Sequence, residues 1–311
     1  MERYTQLRDI KVPDKKTTLS IGTFDGMHLG HKYLISRLVK KSLDNNSKSV
    51  LITFNPNPHI VINNKKNYEY HIISRHEKYN ILDKLGLDVL FEINFNSDLS
   101  KVSAELFLEK YIINPFNPSN IVIGYDHRFG HKRKGDSNFL YKNQDRYGYK
   151  LEIIDPLKKD NRTISSSLIR DLLKDNKVSV VNRLLDRNYK IRGKVVKGDR
   201  IGRDINFPTA NLSIESIEQI IPSNGVYFVN TIIEEKKYFG MCNIGYRPTV
   251  SLNLNKSIEV HLFNYKEFNL YSQFIDIEFV DYIRSEIKFN NKAELEAQLT
   301  KDKEYCKSLI L

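Results

Sequence analysis

The hydrophobic pattern of this chain changes near Asp186, and the change divides the sequence into two halves of different character. Before this residue, short β-branched runs alternate with amphipathic stretches, a pattern that favours a parallel sheet with helices on both faces. The runs that we predict as strands in this first half are residues 18–21, 50–54, 89–93, 121–124 and 151–154.

Between these strands, apolar residues recur at the spacing of a helix. One predicted helix runs over residues 74–85 and stops at Gly86, since glycine is common just beyond a helix end. An earlier helix is indicated by apolar residues that recur at helical spacing, namely Leu34, Ile35, Leu38, Val39 and Leu43.

After Asp186 the pattern consists of short strands with turn residues between them, which is typical of an antiparallel barrel or sandwich. A final helix is predicted to begin near Asn291, where Glu294 completes a capping box. The predicted strands are residues 189–197, 225–234, 238–244, 257–265 and 274–282, and the predicted apolar stripe of the helix is Leu295, Leu299, Cys306 and Leu309.

A chain of 311 residues is long for one hydrophobic core and sufficient for two. Together with the change of pattern, this length predicts an α/β domain over residues 1–186 and an all-β domain over residues 187–311. The two domains would be joined by a short connection near residues 184–189.

Composition excludes several classes of protein. No stretch approaches the roughly 18 consecutive apolar residues of a membrane span, and the first residues lack the apolar core of a signal peptide, so we expect a cytoplasmic chain. Cys242 and Cys306 lie in no CxxC pattern and are expected to be reduced packing residues. The net charge of +11 is carried by scattered lysines, so we expect phosphate-rich small substrates and no stable nucleic-acid partner.

The segment SIGTFDGMHLGH (residues 20–31) leads from a predicted strand through a tight loop into a helix. A helix N-terminus presents free backbone N–H groups, and Gly22, Gly26 and Gly30 permit close approach of the backbone to a phosphate. His28 and His31 would face the same anion. The alternative is a pair of histidines satisfied within a turn.

A second candidate for phosphate binding is ISSSLIR, residues 164–170. Its serines offer hydroxyl groups at a helix start, and the planar fork of Arg170 can bind two oxygens at once. The structural alternatives are a serine N-cap for the helix and an exposed ion pair for the arginine.

Two further segments follow predicted strands, where open α/β sheets place their ligands. They are TFNPNPHIVI at residues 53–62 and IVIGYDHRFG at residues 121–130. In the second half, GDRIGRDINFPTANL at residues 198–212 is followed by IEVHLF at residues 258–263 and IRSEIKF at residues 283–289.

Together these motifs resemble those of bacterial bifunctional riboflavin kinase/FMN adenylyltransferases (FAD synthetases), and they occur in the same order. The resemblance implies a Rossmann-like HxGH nucleotidyltransferase domain followed by an antiparallel β-barrel riboflavin kinase domain with a terminal helix. It implies riboflavin, FMN and ATP as substrates, FAD as the final product and Mg²⁺ as the metal ion.

For the first domain, the resemblance implies that His28 and His31 stabilise the charge on the ATP phosphates during in-line attack, without a covalent intermediate. The residues that it assigns to ATP are Gly22, Phe24, Asp25, Gly26, His28, Gly30, His31, Ser165, Ser166, Ser167 and Arg170. Those that it assigns to flavin binding are Pro56, Pro58, Asp126 and Arg128 in this domain and Arg284 in the second.

For the second domain, the resemblance implies that Glu259 is the general base on the riboflavin 5′-hydroxyl; the alternative is an outward-facing strand residue. Thr209 and Asn211 would hold Mg²⁺. Arg284 would organise the flavin end together with Glu286, with a surface salt bridge as the alternative. The residues implied in nucleotide binding are Gly202, Phe207, Pro208, Thr209 and Asn211.

The chain departs from the family pattern at several positions. Asparagine at Asn206, in place of glycine, would fill space beside a phosphate, so one alternative is a protein that retains only FMN adenylyltransferase activity. Another is a flavin-responsive regulator that binds nucleic acid. The remaining departures are Asn57 for histidine, His127 for phenylalanine, Ser167 for threonine, and Ser272 with Gln273 for Gly-Lys.

Overall fold

A computed structural model of the chain describes residues 1–10, 15–63, 70–197, 207–214, 218–246, 256–265 and 270–310. The chain divides into two compact units, Met1–Ser166 and Ser167–Leu311. The first is an α/β unit and the second contains a closed β-barrel, so the predicted α/β plus all-β fold class is confirmed.

The first unit contains a six-stranded parallel sheet in the order β1-β4-β3-β2-β5-β6. Five of these strands were predicted. Strand β1 was not, because three residues are too few to show a hydrophobic period. The strands are β1 (Glu2–Tyr4), β2 (Thr17–Ile21), β3 (Lys48–Asn55), β4 (Val89–Asn94), β5 (Pro118–Gly124) and β6 (Lys150–Ile154), and a separate hairpin is formed by β7 (Lys158–Lys159) and β8 (Arg162–Thr163).

Both faces of this sheet are covered by apolar side chains. Val50 and Ile52 of β3 belong to one core cluster, whereas Leu51 between them belongs to the other. Successive side chains of a strand point to opposite faces, so burial on both sides produces a continuous apolar run. This is the reason that the β-branched runs in the sequence located the strands.

The helices of this unit are α1 (Leu29–Asp44), α2 (Pro58–Ile62), α3 (Arg75–Lys84), α4 (Ala104–Phe107), α5 (Asn114–Phe116) and α6 (Ser137–Tyr147), with short 3₁₀ turns at Leu7–Asp9, Leu99–Lys101 and His131–Arg133 and a π-helical turn at Leu108–Ile113. Helix α3 is capped by Ser74 and ends before Gly86, whose φ is +79°, as the sequence predicts.

In α1, Leu38 is buried but Leu43 is exposed. Five residues rotate a helix by about 140° beyond a full turn, so the two leucines face different directions.

The order of the strands fixes where ligands can bind. From β2 the chain passes outward through β3 to β4, then returns to form β5 on the other side of β2. Ligands of open α/β sheets bind at such a switch point, beyond the carboxyl ends of the strands. The loops that follow β2, β3 and β5 therefore meet at the edge where a ligand is expected.

In the second unit, six antiparallel strands close into a barrel in the order β10-β13-β12-β11-β14-β9. The sequence left a barrel and a sandwich open, and a barrel is observed. Strand β10 was not among the predicted strands because it overlaps the PTAN motif, which comprises residues 208–211. The strands are β9 (Tyr189–Val196), β10 (Ala210–Ile214), β11 (Gly225–Ile233), β12 (Lys236–Tyr246), β13 (Lys256–Leu262) and β14 (Phe274–Arg284).

Among the described residues, three helices accompany the barrel: α7 (Ser166–Lys174), which begins at the last residue of the first unit, α8 (Val178–Leu185) and α9 (Lys292–Ser308). In the predicted capping box of α9, the Glu294 amide donates to Asn291 Oδ1 at 2.9 Å. The predicted apolar stripe holds as far as Cys306, which is buried. Leu309 is 40% exposed because it lies just past the helix end. Both cysteines are buried free thiols, as expected.

Helix α8 is attached to the barrel. The Asn182 side-chain amide donates to the carbonyl oxygens of Phe279 and Val280 at 2.8 and 3.2 Å and accepts from the Tyr189 amide at 2.7 Å. The observed division at Ser166/Ser167 thus lies ahead of the predicted boundary at 186/187. That residues 187–311 form a domain able to fold by itself stays a prediction.

Candidate functional site

The loop after β2 contains an unusual concentration of left-handed backbone. Gly26 has a φ of +87°, and the non-glycine residues Phe24 and Met27 have φ values of +47° and +44°. A Cβ at Gly22 would lie 2.9 Å from the Phe24 ring, so glycine is required for close packing there. Such local backbone strain persists only where the surrounding structure fixes it, and it is common at ligand sites.

The two histidines of the HLGH sequence lie together at the start of α1. His28 is the N-cap, and its Nδ1 accepts a hydrogen bond from the His31 amide at 3.3 Å. The imidazole rings stack with centroids 3.6 Å apart, and the edge of Phe24 lies against His31. A side chain at Gly30 would crowd the His28 ring. The structure thus brings both histidines to the positive end of a helix dipole.

Asp25 ties this loop to two other segments. Its Oδ1 accepts a hydrogen bond from the Ile72 amide at 3.0 Å, just ahead of α3. Its carbonyl oxygen accepts one from the Ser166 hydroxyl at 2.8 Å. Ser166 belongs to ISSSLIR, so the structure connects the two predicted phosphate motifs.

The remaining residues of ISSSLIR lie around the start of α7. The helix begins inside the motif, at Ser166, as predicted, and Ser165 precedes it. Ser167 and Arg170 belong to the second unit, where Ser167 is exposed and Arg170 is half-buried. Their binding of triphosphate stays a prediction.

The loop after β3 leads into α2. The Asn55–Pro56 peptide bond is cis, and Pro58 is the first residue of the helix. Asn57 is buried and caps α2 by accepting from the His59 amide at 3.0 Å. Asparagine is a favoured N-cap residue, so this departure from the family pattern has a local structural role.

The loop after β5 carries the other flavin candidates of the first unit. Asp126 is exposed, and the Arg128 guanidinium lies 3.6 Å from Asp136. His127 stacks on Phe129 with ring centroids 5.7 Å apart. Burial, reinforced by Arg128 and Arg133, lowers the pKa of His127 to about 4, so this imidazole is neutral at pH 7.

In the barrel, the register of the strands brings the kinase candidates together. Asn211 of β10 is paired with Glu259 of β13, and Glu259 is paired on its other side with Asn243 of β12. Side chains directly opposite each other project from the same face, with Cβ atoms about 5 Å apart. The Ser257 hydroxyl donates to Glu259 Oε1 at 3.2 Å.

The PTAN segment is held from the next position along β13. A ring nitrogen of His261, Nδ1, lies 2.9 Å from the Pro208 carbonyl oxygen and must donate to it, since a carbonyl only accepts. Phe207 is buried against the barrel, whereas Thr209 is exposed. Gly202 and Asn206 lie outside the described residues.

Arg284 makes a buried ion pair that the sequence did not predict. Its Nε and Nη2 donate to the Asp302 carboxylate of α9 at 3.0 and 2.7 Å, and Asp302 also accepts from Gln298 at 2.8 Å. The Asp302 side chain is 3% exposed. Arg284 therefore holds the terminal helix on the barrel, and a flavin contact by the same residue stays a prediction.

The segments that contain the adenylyltransferase candidates and the kinase candidates match the sequence models of two known families. The sequence model of the FAD synthetase family matches residues 10–168, and that of the riboflavin kinase family matches residues 185–310. A protein of Buchnera aphidicola from Schizaphis graminum, named bifunctional riboflavin kinase/FMN adenylyltransferase, is 38% identical over 97% of this chain and 96% of its own length. The chain belongs to this bifunctional family.

Other relatives agree over nearly the full length. The Bacillus subtilis protein of the same name is 35% identical over 95% of this chain and 93% of its own. A crystal structure from Streptococcus pneumoniae, described as a macrolide-efflux protein, superposes with a TM-score of 0.89 at 29% identity, covering 98% of each chain. The resemblance inferred from the motifs is thus confirmed. In the described part of the chain, no helix has both the length and the apolar character to cross a membrane.

One polar residue beside the HLGH loop, which we define as residues 22–31 after β2, was not identified from the sequence. Lys78 of α3 is buried, and its ammonium donates to the Thr23 carbonyl oxygen at 2.7 Å and to Thr53 Oγ1 at 2.8 Å. Its spacing could have indicated its burial. Lys78 lies four residues before the buried Leu82 and therefore on the apolar face of the helix.

Proposed function

We propose that this chain makes flavin cofactors, the second unit phosphorylating riboflavin to FMN and the first transferring AMP from ATP to FMN with release of pyrophosphate. The observation that carries the proposal is that each unit brings together central residues of one family's motifs. The stacked His28 and His31 lie at a helix start in one, and Asn211 faces Glu259 in the other.

In the adenylyltransferase site, the task is to stabilise charge while the FMN phosphate attacks the α-phosphorus of ATP. The bond to the β-phosphate oxygen breaks as the new phosphoanhydride bond forms. The N-terminus of α1 supplies a positive field, and ring N–H groups of its two histidines can donate hydrogen bonds to the developing charge on the α-phosphate and pyrophosphate. Fixed donors of this kind need no reorganisation during the reaction, and no proton has to be removed from the attacking phosphate.

The ATP phosphates would rest on the loop between β2 and α1, which the Ser166 hydroxyl joins to ISSSLIR within the first unit. The residues to which we assign this role are Gly22, Phe24, Asp25, Gly26, His28, Gly30, His31, Ser165, Ser166, Ser167 and Arg170. The flavin would lie toward the loops after β3 and β5, near Pro56, Pro58, Asp126 and Arg128.

In the kinase site, Glu259 would accept the proton of the riboflavin 5′-hydroxyl as its oxygen attacks the γ-phosphorus of ATP. Riboflavin then gains the phosphoryl group, and ADP leaves. A half-buried carboxylate beside Asn211 suits this role, since a general base must be within hydrogen-bond reach of the hydroxyl.

The donors around PTAN fit a magnesium ion. Thr209 and Asn211 offer a hydroxyl and an amide oxygen, and Glu259 lies opposite Asn211 with a carboxylate. Oxygen ligands of this kind suit Mg²⁺, which would neutralise charge on the ATP phosphates when bound. Two free thiols fit our expectation that the protein acts in the cytoplasm.

The proposal is tested by incubating the purified chain with riboflavin and MgATP and separating the flavins by chromatography over time. FMN should accumulate first and FAD should follow, and a parallel incubation with a chelator should stop both steps. A chain that binds riboflavin but forms neither product would contradict the proposal.

A further inference from the structure

The ammonium group of Lys78 closes a small polar network beneath the HLGH loop. It bonds the Thr23 carbonyl oxygen and Thr53 Oγ1, and the Thr53 hydroxyl in turn donates to the Thr23 carbonyl oxygen at 3.2 Å. Thr23 opens the loop after β2, and Thr53 lies in β3. One side chain of α3 therefore connects the ends of two adjacent strands of the parallel sheet.

A charged lysine is costly in this place. Burial disfavours the ammonium and lowers the pKa of Lys78 to about 8, although Asp25 and Glu92 favour the charged form. Arg75, on the same helix, acts in the same direction as burial. Lys78 is only 8% exposed, and an apolar side chain of similar length would avoid the desolvation penalty. The retained charge thus calls for a role beyond packing.

The loop that Lys78 contacts needs external support. Phe24 and Met27 hold left-handed backbone that most side chains disfavour. The region around α3 holds this loop at two points, through the Ile72 amide on Asp25 and through Lys78 on Thr23. Both anchors precede His28 in the chain, so they fix the direction in which the backbone enters α1.

We propose that Lys78 is a positioning residue for adenylyl transfer, which holds the Thr23 carbonyl so that the loop presents His28 and His31 to ATP. This inference rests on the proposed FMN adenylyltransferase function of the first unit. Lys78 acts through Thr23 and does not itself touch the reacting atoms. Its charge couples the rate to pH, because loss of the proton weakens the bond to the carbonyl.

The experiment compares Lys78→Met, Thr53→Val and Thr53→Ser with the parent, using Lys84→Met as the control. Lys84 lies on the same helix but is exposed. For each full-length variant, kcat and KM for FAD formation from FMN are measured, together with riboflavin phosphorylation in the same preparation. The kinase rate reports the state of the second unit, and thermal unfolding of each variant reports whether the first unit, which contains Lys78, is folded.

We expect Lys78→Met to lower kcat for FAD formation by about 10–100-fold, since small displacements of positioned groups have effects of this size. Riboflavin phosphorylation should stay within about twofold, and the thermal unfolding transition of the first unit should be retained. Thr53→Val should lose part of the rate, Thr53→Ser should retain it, and Lys78→Met with Thr53→Val should lose no more than Lys78→Met alone. The parental kcat should decline as the pH rises through 8, and that decline should be absent in Lys78→Met.

Two outcomes would overturn the inference. One is a Lys78→Met protein that makes FAD at the parental rate. The other is a Lys78→Met protein that loses FAD formation together with the unfolding transition of the first unit while Thr53→Val keeps full FAD formation, since the lysine would then serve only stability. A parent that makes no FAD at all would instead contradict the proposed function.

Discussion

Asn211 and Glu259 lie directly opposite each other on the antiparallel strands β10 and β13. This pairing places an amide, and beside it the carboxylate that we propose as general base, on one face of the barrel. The two residues are far apart in the chain, and only the strand register joins them. The kinase predictions depend on this pair.

Replacing Glu259 by Gln keeps the shape of the side chain and removes its basicity. FMN formation from riboflavin should fall by about 10²–10⁴-fold, the usual contribution of a general base. FAD formation from supplied FMN should stay unchanged, because its attacking phosphate has no proton to lose. Both rates are measured at saturating MgATP on one preparation, and full kinase activity in the variant would exclude Glu259 as the base.

His28 has two roles that substitutions can separate. His28→Ala removes both the imidazole and the N-cap, and should cost the first unit about 1 kcal/mol in stability. His28→Asn keeps a capping oxygen and loses only the imidazole. Both variants should lose about 3–4 kcal/mol of transition-state stabilisation in FAD formation, by analogy with a lost oxyanion donor. Thermal unfolding and product assays separate the two effects, and an active His28→Asn would assign the histidine to capping alone.

His31 provides a second test of the same site. It does not cap the helix, so His31→Ala should leave the melting temperature nearly unchanged while FAD formation falls strongly. FMN formation from riboflavin should continue at the parental rate. If His31→Ala makes FAD as fast as the parent, the HLGH motif has no part in the chemistry.

The ion pair between Arg284 and Asp302 separates a structural role from flavin binding. Asp302→Ala leaves a buried guanidinium without its partner and should destabilise the second unit by about 3–5 kcal/mol in denaturant unfolding. The double variant Arg284→Met with Asp302→Leu should recover most of that stability. If Arg284 also binds flavin, the stable double variant should show a raised KM for riboflavin, and a parental KM would leave Arg284 a purely structural role.

The predicted domain boundary is tested with two fragments. Residues 187–311 contain the whole barrel and should phosphorylate riboflavin. Residues 167–311 add α7 and α8, whose Asn182 binds Phe279 and Tyr189 of the barrel. The longer fragment should therefore unfold at a higher denaturant concentration. Equal midpoints for the two fragments would show that α8 adds nothing to the barrel.

The sequence could predict most of the fold because burial on both faces leaves a local trace. The continuous runs around Val50 and Ile121 locate their strands, Gly86 locates the end of α3, and the capping box at Asn291 locates the start of α9. Strand β1 left no such trace, since it has three residues. The sequence predicts Leu309 as part of the buried stripe of the last helix. Helix α9 ends one residue earlier, and Leu309 is exposed, because hydrophobic periodicity cannot locate a helix end.

The site was predictable only in part, because several of its contacts are long-range. The HLGH and PTAN motifs are contiguous and could be recognised. The anchoring of Thr23 by Lys78 and of Arg284 by Asp302 depends on side chains that meet only in the folded chain. Asn57 departs from the family pattern, and its role as the cap of α2 became visible only with the hydrogen bond to His59.

The most direct test of two separate sites in one chain is complementation between the variants Glu259→Gln and His28→Asn. Each variant alone, given riboflavin and MgATP, should make little or no FAD. Glu259→Gln does not form the FMN that it needs, and His28→Asn forms FMN but does not adenylylate it. An equimolar mixture should convert riboflavin to FAD, as FMN released by His28→Asn is used by Glu259→Gln. A mixture that makes no FAD, although each variant retains its remaining activity, would contradict this division of labour.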